Sequence, residues 1–366
     1  MRPLLLSIFP SFDVGGAQSR FATLANHFGS EWRHAIVSMN GVTSARERLN
    51  SDVEVVFPEF DSRKGDLVGN LARFRSVIDS LAPTTMLTHN FGSIEWALAG
   101  RFGSFRHVHV EDGFGPEERT TQLRRRVWLR RVALRGRSIV LPSKTLLDIA
   151  TRRWRFKPDR LHYIPNGIDV ARFATSGTSL DWPSDNGSSG PIIGTVAALR
   201  PEKNVGRLIR AFSIVAAKIE ARLLIIGDGP QRSELEALTR DLGLLERVRF
   251  AGHVATPDDL IKAFDIFAIS SDTEQMPISL LEAMAAGKPT AATDVGDISQ
   301  MLPPNGRAFV VPCDDSKLAE ALLTLVGSPA LRQELGRAAQ LKSIAEFDQA
   351  EMFRKWSAIL QNGPVR

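Results

Sequence analysis

The sequence predicts an α/β fold built from two Rossmann-like domains, and three observations lead to this prediction. Short apolar runs alternate with amphipathic helical patterns throughout the chain, as in folds with parallel sheets. The length of 366 residues is more than one hydrophobic core usually supports. A polar stretch of small residues at 174–191 interrupts the pattern, which then restarts. We therefore expect domains at 1–172 and 191–345, joined by a linker at 173–190.

The first predicted strand is Leu4–Phe9, and the double glycine Gly15-Gly16 joins it to a helix. The other predicted strands are HAIVSM, VEVVF, TTMLTH, HVHVE and SIVLPS in the first domain, and PIIGTVAAL, LLIIG, RVRFAG, DIFAIS, PTAATD and AFVVP in the second. Ligands of such sheets bind outside the carboxyl ends of the strands. Two facing domains would place the site in the cleft between them.

Two helical patterns complete the prediction. The helix that starts near Val205 has four apolar residues on one face: Leu208, Phe212, Val215 and Ile219. The closing segment is predicted to be helical, with Phe347, Met352 and Trp356 spaced to dock on another element, and the helix 346–366 is a candidate to rejoin the N-terminal domain.

Composition and charge limit the class of protein. Lys and Arg number 46 against 41 Asp and Glu, a net charge of +5, which favours anionic partners such as phosphates or a lipid surface. The single cysteine, Cys313, excludes an intrachain disulfide and indicates a reducing compartment. The apolar run after Met1 is too short for a signal peptide or a spanning helix, so we expect a cytoplasmic or peripheral protein.

Two glutamates, Glu274 and Glu282, bracket the start of a predicted helix that follows a strand. Pro277 suits the first helical position. Both carboxylates can then face the carboxyl end of the strand, where they could hold the vicinal hydroxyls of a ribose. The free N–H groups of Ile278 and Ser279 would favour a phosphate. A capped helix with one buried, paired glutamate explains the same pattern equally well.

The segment EQMPISLLEAMAAGKP resembles the Glu-x7-Glu motif of the retaining GT-B glycosyltransferases of family 4. Five other segments match landmarks of that family in the same order: GGAQ, VHVEDG, YIPNGIDVARF, LRPEKN and IIGDGP. The resemblance covers essentially the whole chain. It implies transfer of a sugar from a nucleoside diphosphate sugar to a hydroxyl acceptor. No cofactor is implied, and without an Asp-x-Asp motif or a ligand cluster no metal is predicted.

The resemblance also implies which residues contact the donor. Glu282 would bind the ribose and Glu274 the sugar hydroxyls, while Lys203 would stabilise the leaving diphosphate. The implied donor-binding residues are Gly15, Gly16, Arg200, Lys203, Val254, Glu274, Gln275, Met276, Pro277, Ile278, Ser279 and Glu282. Many relatives have an arginine where this chain has Ala198. Either Arg200 reaches in instead or fewer charges hold the donor; Arg200 as a solvated surface residue is the alternative.

A third group of residues is expected near the acceptor and the transferred sugar. His109, in VHVEDG, would lie against the sugar and orient it, although a lone histidine at a strand end is more often structural. The predicted catalytic residues are His109, Lys203 and Glu274. The predicted acceptor-binding residues are His89, Asn90, Glu111 and Asp112.

The run LRRRVWLRRVALRGR at 123–137 contains seven arginines and Trp128. It suggests either an anionic membrane surface or a simple solvated face. Nucleic acid is a poorer interpretation, because aromatic residues are not interleaved. The motif GDGPQR resembles a dinucleotide fingerprint but has Arg232 in place of the third glycine, so we interpret it as a strand-to-helix turn.

The expected function is transfer from a nucleoside diphosphate sugar, with a UDP-sugar slightly favoured. The resemblance suggests a lipid-linked glycan acceptor in bacterial surface polysaccharide assembly, at the inner face of the membrane. Two alternatives remain open at this stage: a nucleotide-sugar epimerase of the same architecture, and a non-enzymatic basic scaffold.

Overall fold

The computed structural model describes residues 2–114, 118, 121–173 and 190–362. The chain divides into two compact units, one formed by Met1–Asn166 with Ala350–Arg366 and the other by Gly167–Gln349. The first unit thus ends before the predicted boundary at residue 172. All of the predicted linker except Phe173 and Gly190 lies outside the described residues.

The described part of the first unit contains one sheet of seven strands. These are β1 (Leu4–Phe9), β2 (Arg33–Ser38), β3 (Val55–Val56), β4 (Thr85–His89), β5 (Arg106–Val110), β6 (Ser138–Leu141) and β7 (Leu161–Tyr163). They pair in parallel in the order β3-β2-β1-β4-β5-β6-β7. The helices here are α1 (Gly16–Phe28), α2 (Leu67–Leu81), α3 (Ile94–Ala99), α4 (Arg124–Ala133) and α5 (Lys144–Asp148), which continues into a π-helical segment, Ile149–Arg153.

The second unit contains a sheet of six strands among its described residues. They are β8 (Ile192–Val196), β9 (Arg222–Ile226), β10 (Val248–Gly252), β11 (Ile266–Ile269), β12 (Thr290–Thr293) and β13 (Val310–Val311). They are also parallel, in the order β10-β9-β8-β11-β12-β13. Its helices are α6 (Val205–Ala216), α7 (Arg232–Asp241), α8 (Asp258–Lys262), α9 (Ile278–Ala285), α10 (Ile298–Met301), α11 (Asp315–Gly327) and α12 (Pro329–Glu346). The prediction of two Rossmann-like domains is confirmed.

Short 3₁₀ helices connect several of these elements. They lie at Gly29–Glu31, Ser44–Arg48, Phe91–Ser93, Pro158–Arg160, Val170–Phe173, Pro201–Lys203 and Pro304–Phe309. The predicted strand AFVVP is reduced to β13 because Phe309 ends one of them. β7 was not predicted, because its three half-buried residues follow a charged segment and do not form an apolar run.

Apolar burial explains why both sheets form. β1 is buried along its whole length, as expected for a strand covered on both faces. In α6, Leu208, Phe212 and Val215 are fully buried, which confirms the predicted face. The fourth predicted member, Ile219, lies beyond the end of the helix and is 36% exposed, so that part of the prediction was wrong.

The closing helix, α13 (Gln349–Asn362), belongs to the first unit. Met352 and Trp356 are buried in the core of that unit, as predicted. Phe347 precedes the helix, since α12 runs to Glu346, and it packs in the core of the second unit instead. Among the helices of the described segments, none is both long and apolar enough to cross a membrane.

Candidate active site

Lys203 and Glu274, which the sequence predicted as donor contacts, meet in the second unit. Lys203 ends the 3₁₀ turn that follows β8, and Glu274 lies in the loop after the adjacent strand β11. The ammonium Nζ of Lys203 donates to Oε1 of Glu274 at 2.6 Å. Their side chains are 26% and 10% exposed. Two oppositely charged groups with partial access to solvent therefore lie at the carboxyl edge of this sheet.

The loop that carries Glu274 is fixed by hydrogen bonds at several points. The hydroxyl of Ser271 donates to Oε1 of Glu274 at 2.7 Å. Thr293, at the end of β12, donates to the carbonyl of Ser271 at 2.6 Å. The N–H of Asp272 donates to the carbonyl of Glu202 at 2.9 Å, which ties this loop to the Lys203 turn.

Arg207 on α6 joins the same two loops, and the sequence analysis missed it. Its guanidinium donates to the carbonyl of Ser270 at 2.7 Å and forms an ion pair with Asp272 at 2.8 Å. A cation in the first turn of a helix opposes the helix dipole, so it needs an acidic partner. That unfavourable position was the signal that could have identified Arg207.

Gly296 constrains the backbone of Glu274 from the other side. Its φ is +59°, a left-handed conformation that favours glycine. A Cβ at this position would lie 2.3 Å from the carbonyl oxygen of Glu274. The next residue, Asp297, donates its N–H to the carbonyl of Gln275 at 2.9 Å. The close approach leaves room only for glycine.

The remaining donor residues of the motif surround the start of α9. Pro277 caps this helix rather than occupying its first turn, since the helix begins at Ile278. Met276 is 5% exposed and packs in the core, so its side chain faces inward. The other predicted donor-binding residues of this segment are all partly buried: Gln275, Pro277, Ile278, Ser279 and Glu282.

The GDGP motif forms the predicted strand-to-helix turn between β9 and α7. A Cβ at Gly227 would lie 1.9 Å from the carbonyl oxygen of Ala197, because the turn packs against the loop that leads to Lys203. Arg200 is exposed in that loop. Val254 is partly buried against the core.

In the first unit, the double glycine lies at the start of α1. Gly15 is the N-cap and has an extended backbone that any residue can adopt. A Cβ at Gly15 would meet Oε1 of Gln18 at 2.8 Å, which is the end of a flexible side chain. Gly16 is exposed. At Gly15, local geometry therefore gives little reason for glycine, whereas close approach of a ligand to the helix N-terminus would give one.

Three of the predicted acceptor residues come together at the ends of β4 and β5. Asn90 accepts the N–H of Asp112 at 2.7 Å. Nδ1 of His89 lies 3.9 Å from Oδ2 of Asp112. Arg20 on α1, which the sequence analysis missed, lies 2.5 Å from Oδ1 of Asp112 and donates to Asn166 at 3.1 Å. Asn166 belongs to the family landmark YIPNG, which offered a signal for this contact.

This cluster has depressed pKa values. Burial lowers the pKa of His89 to about 4, and the ring stacks on Phe9 with centroids 3.8 Å apart. Burial acts to raise the pKa of Asp112, but the charge of Arg20 outweighs it, so the pKa lies below its ordinary value. At neutral pH the cluster therefore contains a neutral imidazole and an ionised carboxylate.

His109 and Glu111 are brought together but are fully buried. Nε2 of His109 lies 3.3 Å from Oε2 of Glu111. The guanidinium of Arg130, on α4, contacts both oxygens of that carboxylate, at 3.1 and 3.4 Å. The predicted contact of Glu111 with acceptor hydroxyls would require this ion pair to open.

The basic run at 123–137 includes α4, and its residues differ in exposure according to the side of the helix on which they lie. Arg130 is fully buried, so the interpretation of the run as one solvated face was wrong for this residue. Leu123 and Trp128 are 46% and 60% exposed, and Arg124 and Arg125 are exposed beside them. The helix thus presents arginines together with apolar side chains to solvent.

Comparison with known proteins gives matches over both units. The family model "Glycosyltransferase Family 4" matches residues 14–172, and the model "Glycosyl transferases group 1" matches residues 179–342. A GDP-mannose-dependent monoacylated alpha-(1-6)-phosphatidylinositol monomannoside mannosyltransferase of Corynebacterium glutamicum is 32% identical over 55% of this chain and 56% of its own. The lipopolysaccharide core biosynthesis glycosyltransferase LpsD of Rhizobium meliloti is 39% identical over 36% of this chain and 38% of its own. The matched region thus spans about half the length of these curated relatives or less.

Solved structures match over nearly the whole chain. Anabaena Alr3699/HepE in complex with UDP has a TM-score of 0.81 and 20% identity, covering 99% of this chain and 100% of that one. A glycosyltransferase from Rickettsia africae ESF-5 has a TM-score of 0.79 and 17% identity, with coverage of 99% and 100%. At these identities the likeness establishes the fold.

Proposed function

Because this chain belongs to the GT-B glycosyltransferases of family 4, we propose that it is a retaining enzyme that moves a sugar from a nucleoside diphosphate sugar to a hydroxyl acceptor. The observation that carries the proposal is the contact between Lys203 and Glu274 at the carboxyl edge of the second sheet. It places a cation for a diphosphate beside a carboxylate for sugar hydroxyls.

The proposed chemistry relies on positioning and on stabilisation of charge. The bond between the anomeric carbon and the diphosphate breaks, and the acceptor oxygen bonds to the same face of that carbon. The departing phosphate oxygen takes the proton of the acceptor. Lys203 and the free N–H groups at the start of α9 would stabilise the negative charge that develops on the diphosphate. On this proposal no metal or cofactor takes part.

The donor is proposed to be a nucleoside diphosphate sugar, with UDP favoured over GDP. The UDP complex of Anabaena Alr3699/HepE supports a uridine donor, whereas the relative from Corynebacterium glutamicum is described as GDP-mannose-dependent. Glu282 would hold the ribose, and Val254 would lie near the base. Gly15, Gly16 and Arg200 are proposed as further contacts to the diphosphate.

The acceptor is proposed to be a hydroxyl of a lipid-linked glycan. The names of two relatives refer to glycans of this kind, a monoacylated phosphatidylinositol monomannoside and a lipopolysaccharide core. Arg124, Arg125 and Trp128 would hold the enzyme at the anionic inner face of the membrane. The epimerase alternative has no support in the comparisons, since the relatives described above are glycosyltransferases.

A panel of nucleoside diphosphate sugars tests the proposal. UDP-, GDP- and ADP-sugars are screened for an increase in melting temperature, and each hit is then incubated with lipid-linked acceptors. We expect one base to stabilise the protein and one sugar to be transferred with retention of the anomeric configuration. Interconversion of sugars without an acceptor, or no stabilisation by any nucleotide, would contradict the proposal.

A further inference from the structure

A chain of buried polar side chains runs through the first unit from β4 to α4. Oγ1 of Thr88 lies 2.8 Å from Nε2 of His107 and 2.9 Å from Nδ1 of His109. His109 then contacts Glu111, and Arg130 contacts both Glu111 and Glu118. All these residues are at most 3% exposed. Buried polar groups of this kind must satisfy one another, so the direction of each hydrogen bond can be worked out.

The carboxylate of Glu111 determines which groups donate and which accept along this series of hydrogen bonds. Burial acts to raise the pKa of Glu111, but the charge of Arg130 and the hydrogen bond from His109 outweigh it, and the pKa lies below its ordinary value. An ionised carboxylate only accepts hydrogen bonds. Nε2 of His109 must therefore carry the hydrogen that it donates to Glu111.

The other ring nitrogen of His109 follows from charge balance. Glu111 and Glu118 already face Arg130 and Arg126, so a further positive charge on a fully buried ring would be costly. In a neutral ring that donates from Nε2, Nδ1 has no hydrogen. The hydroxyl of Thr88 donates to Nδ1 and accepts from Nε2 of His107. From His107 to Glu111, each group therefore donates its hydrogen to the next.

Arg130 fixes the position of Glu111, the last acceptor in this series of hydrogen bonds. Its guanidinium contacts Glu118 at 3.1 Å as well as Glu111, so both carboxylates are fixed by one planar group. The rings of Phe91 and Trp154 lie 4.8 and 5.0 Å from its central carbon and exclude water. No other side chain in the described part of the chain contacts both acids with such a fork.

We propose that Arg130 is a positioning residue that fixes the orientation and the tautomer of His109 through the Glu111 carboxylate. The link from His109 to catalysis rests on the proposed function and on the expectation, from the family motif VHVEDG, that His109 lies against the transferred sugar. The tautomer itself does not depend on that function. Within the basic run at 123–137, Arg130 therefore acts inward, on the opposite side of α4 from Trp128.

Nitrogen-15 NMR of histidine-labelled full-length protein tests the proposal without any substrate. We expect His109 to show a protonated Nε2 and an unprotonated Nδ1. E111Q replaces an acceptor-only group with an amide that can also donate, so His109 should become a mixture of tautomers. R130K retains the charge but lacks the fork and should shift the His109 resonances in the same direction. T88V should do so too, whereas T88S should restore the wild-type spectrum.

Matched controls separate this effect from a general loss of structure. R126K alters a neighbouring arginine that contacts Glu118 but not Glu111, so the His109 resonances should not change. The exposed His253 should be unaffected in every variant. A doubly protonated or Nδ1-protonated His109 in the wild-type protein would overturn the proposal, as would unchanged resonances in both E111Q and R130K.

Kinetics provide a second readout once a donor and an acceptor are known. R130K should lower kcat by about tenfold to a hundredfold with little change in the KM for the donor, since a group misplaced by about 1 Å beside the reacting atoms has that effect. An unchanged kcat would remove the catalytic link. If no sugar transfer is found with any donor, the proposed function fails while the NMR result still decides the role of Arg130.

Discussion

The ammonium of Lys203 and the carboxylate of Glu274 form a hydrogen-bonded ion pair at 2.6 Å, although the residues are 71 positions apart in the chain. A diphosphate that binds Lys203 must compete with Glu274, and a sugar hydroxyl that binds Glu274 must compete with Lys203. A donor therefore has to replace this contact in order to bind both groups. Its partial exposure makes this exchange possible.

Replacement of Lys203 should abolish transfer with little effect on folding. We expect K203M to lower kcat by about a hundredfold or more, because a cation that stabilises the leaving group is lost. The melting temperature should change little, since partly exposed ion pairs contribute about 1 kcal/mol or less. K317M, which removes an exposed lysine paired with Glu320, is the control and should retain full activity. Normal transfer by K203M would contradict the assigned role.

Replacement of the two glutamates of the motif should have different effects on nucleotide binding and on sugar transfer. E282A should weaken binding of the free nucleoside diphosphate, because Glu282 is proposed to hold the ribose. E274A should leave that binding largely intact and lower transfer, because Glu274 is proposed to contact the sugar. Calorimetry with the nucleoside diphosphate and with the intact nucleotide sugar separates these cases. Equal losses for both ligands in both variants would mean that the roles are not divided in this way.

Gly296 provides a test of the loop geometry. G296A should lower donor affinity, since its Cβ would lie 2.3 Å from the carbonyl oxygen of Glu274 and displace that loop. G243A is the matched control: its φ of +70° imposes a similar backbone cost of about 1–2 kcal/mol, but nothing lies within 4 Å of its Cβ. Both variants should be destabilised, and only G296A should bind the donor poorly. Equal donor affinities would remove Gly296 from the site.

Much of the fold could be predicted because apolar burial determines it. β11 is a continuous apolar run, β1 is interrupted only by Ser7, and α6 shows a clear buried face. β7 could not be predicted because its pairing with β6, and not its own sequence, makes it a strand. Phe347 was misassigned because helical spacing alone does not show where one helix ends and the next begins.

The site was less predictable, because ion pairs between distant segments leave no local pattern. Lys203 and Glu274 followed from the family motif, and the structure brings them together. Arg20 and Arg207 were not identified, since the helix position of Arg207 and the landmark that contains Asn166 indicate only that a partner is needed, and not which acid pairs with each arginine. Arg130 was not recognised because it lies in a run of arginines of which several, such as Arg124, are exposed.

Stability should decrease between pH 6.5 and pH 5 because of buried histidines. Burial lowers the pKa of His34 from 6.5 to about 4, as for His89. Below pH 6.5 the unfolded chain binds a proton that the folded chain does not, so stability falls with pH until the folded pKa is reached. A shift of this size corresponds to about 3 kcal/mol for each histidine at most.

His34 can be tested apart from the site. Neither of its ring nitrogens has a hydrogen-bond partner among the described residues, and the ring packs edge-on against Phe21. H34F should therefore fold and should show a smaller decrease in melting temperature between pH 7 and pH 5 than the wild type. H253F, at an exposed histidine, should behave like the wild type. The carboxyls of Glu111 and Asp112 affect stability mainly below pH 5. Their ordinary pKa values are 4.5 and 3.8, and folding lowers both.

The exposed face of α4 should bind anionic membranes. Trp128 is 60% exposed, and the exposed Phe102 lies in a turn that Arg101 ties to α4 by a 2.9 Å hydrogen bond to the carbonyl of Val132. Aromatic side chains among arginines favour the interface of a negatively charged bilayer. In sedimentation with vesicles, the protein should bind those that contain phosphatidylglycerol and not those of phosphatidylcholine alone.

Charge reversal on this face distinguishes specific binding from the effect of net charge. R124E/R125E should weaken binding by about tenfold or more, since each arginine near the surface contributes about 1 kcal/mol. R240E/R337E makes the same change in net charge at two exposed positions of the second unit and should bind like the wild type. W128S should reduce the binding that persists in high salt, because the aromatic contribution is not screened. Equal losses in both charge-reversal variants would mean that net charge, and not α4, directs the protein to the membrane.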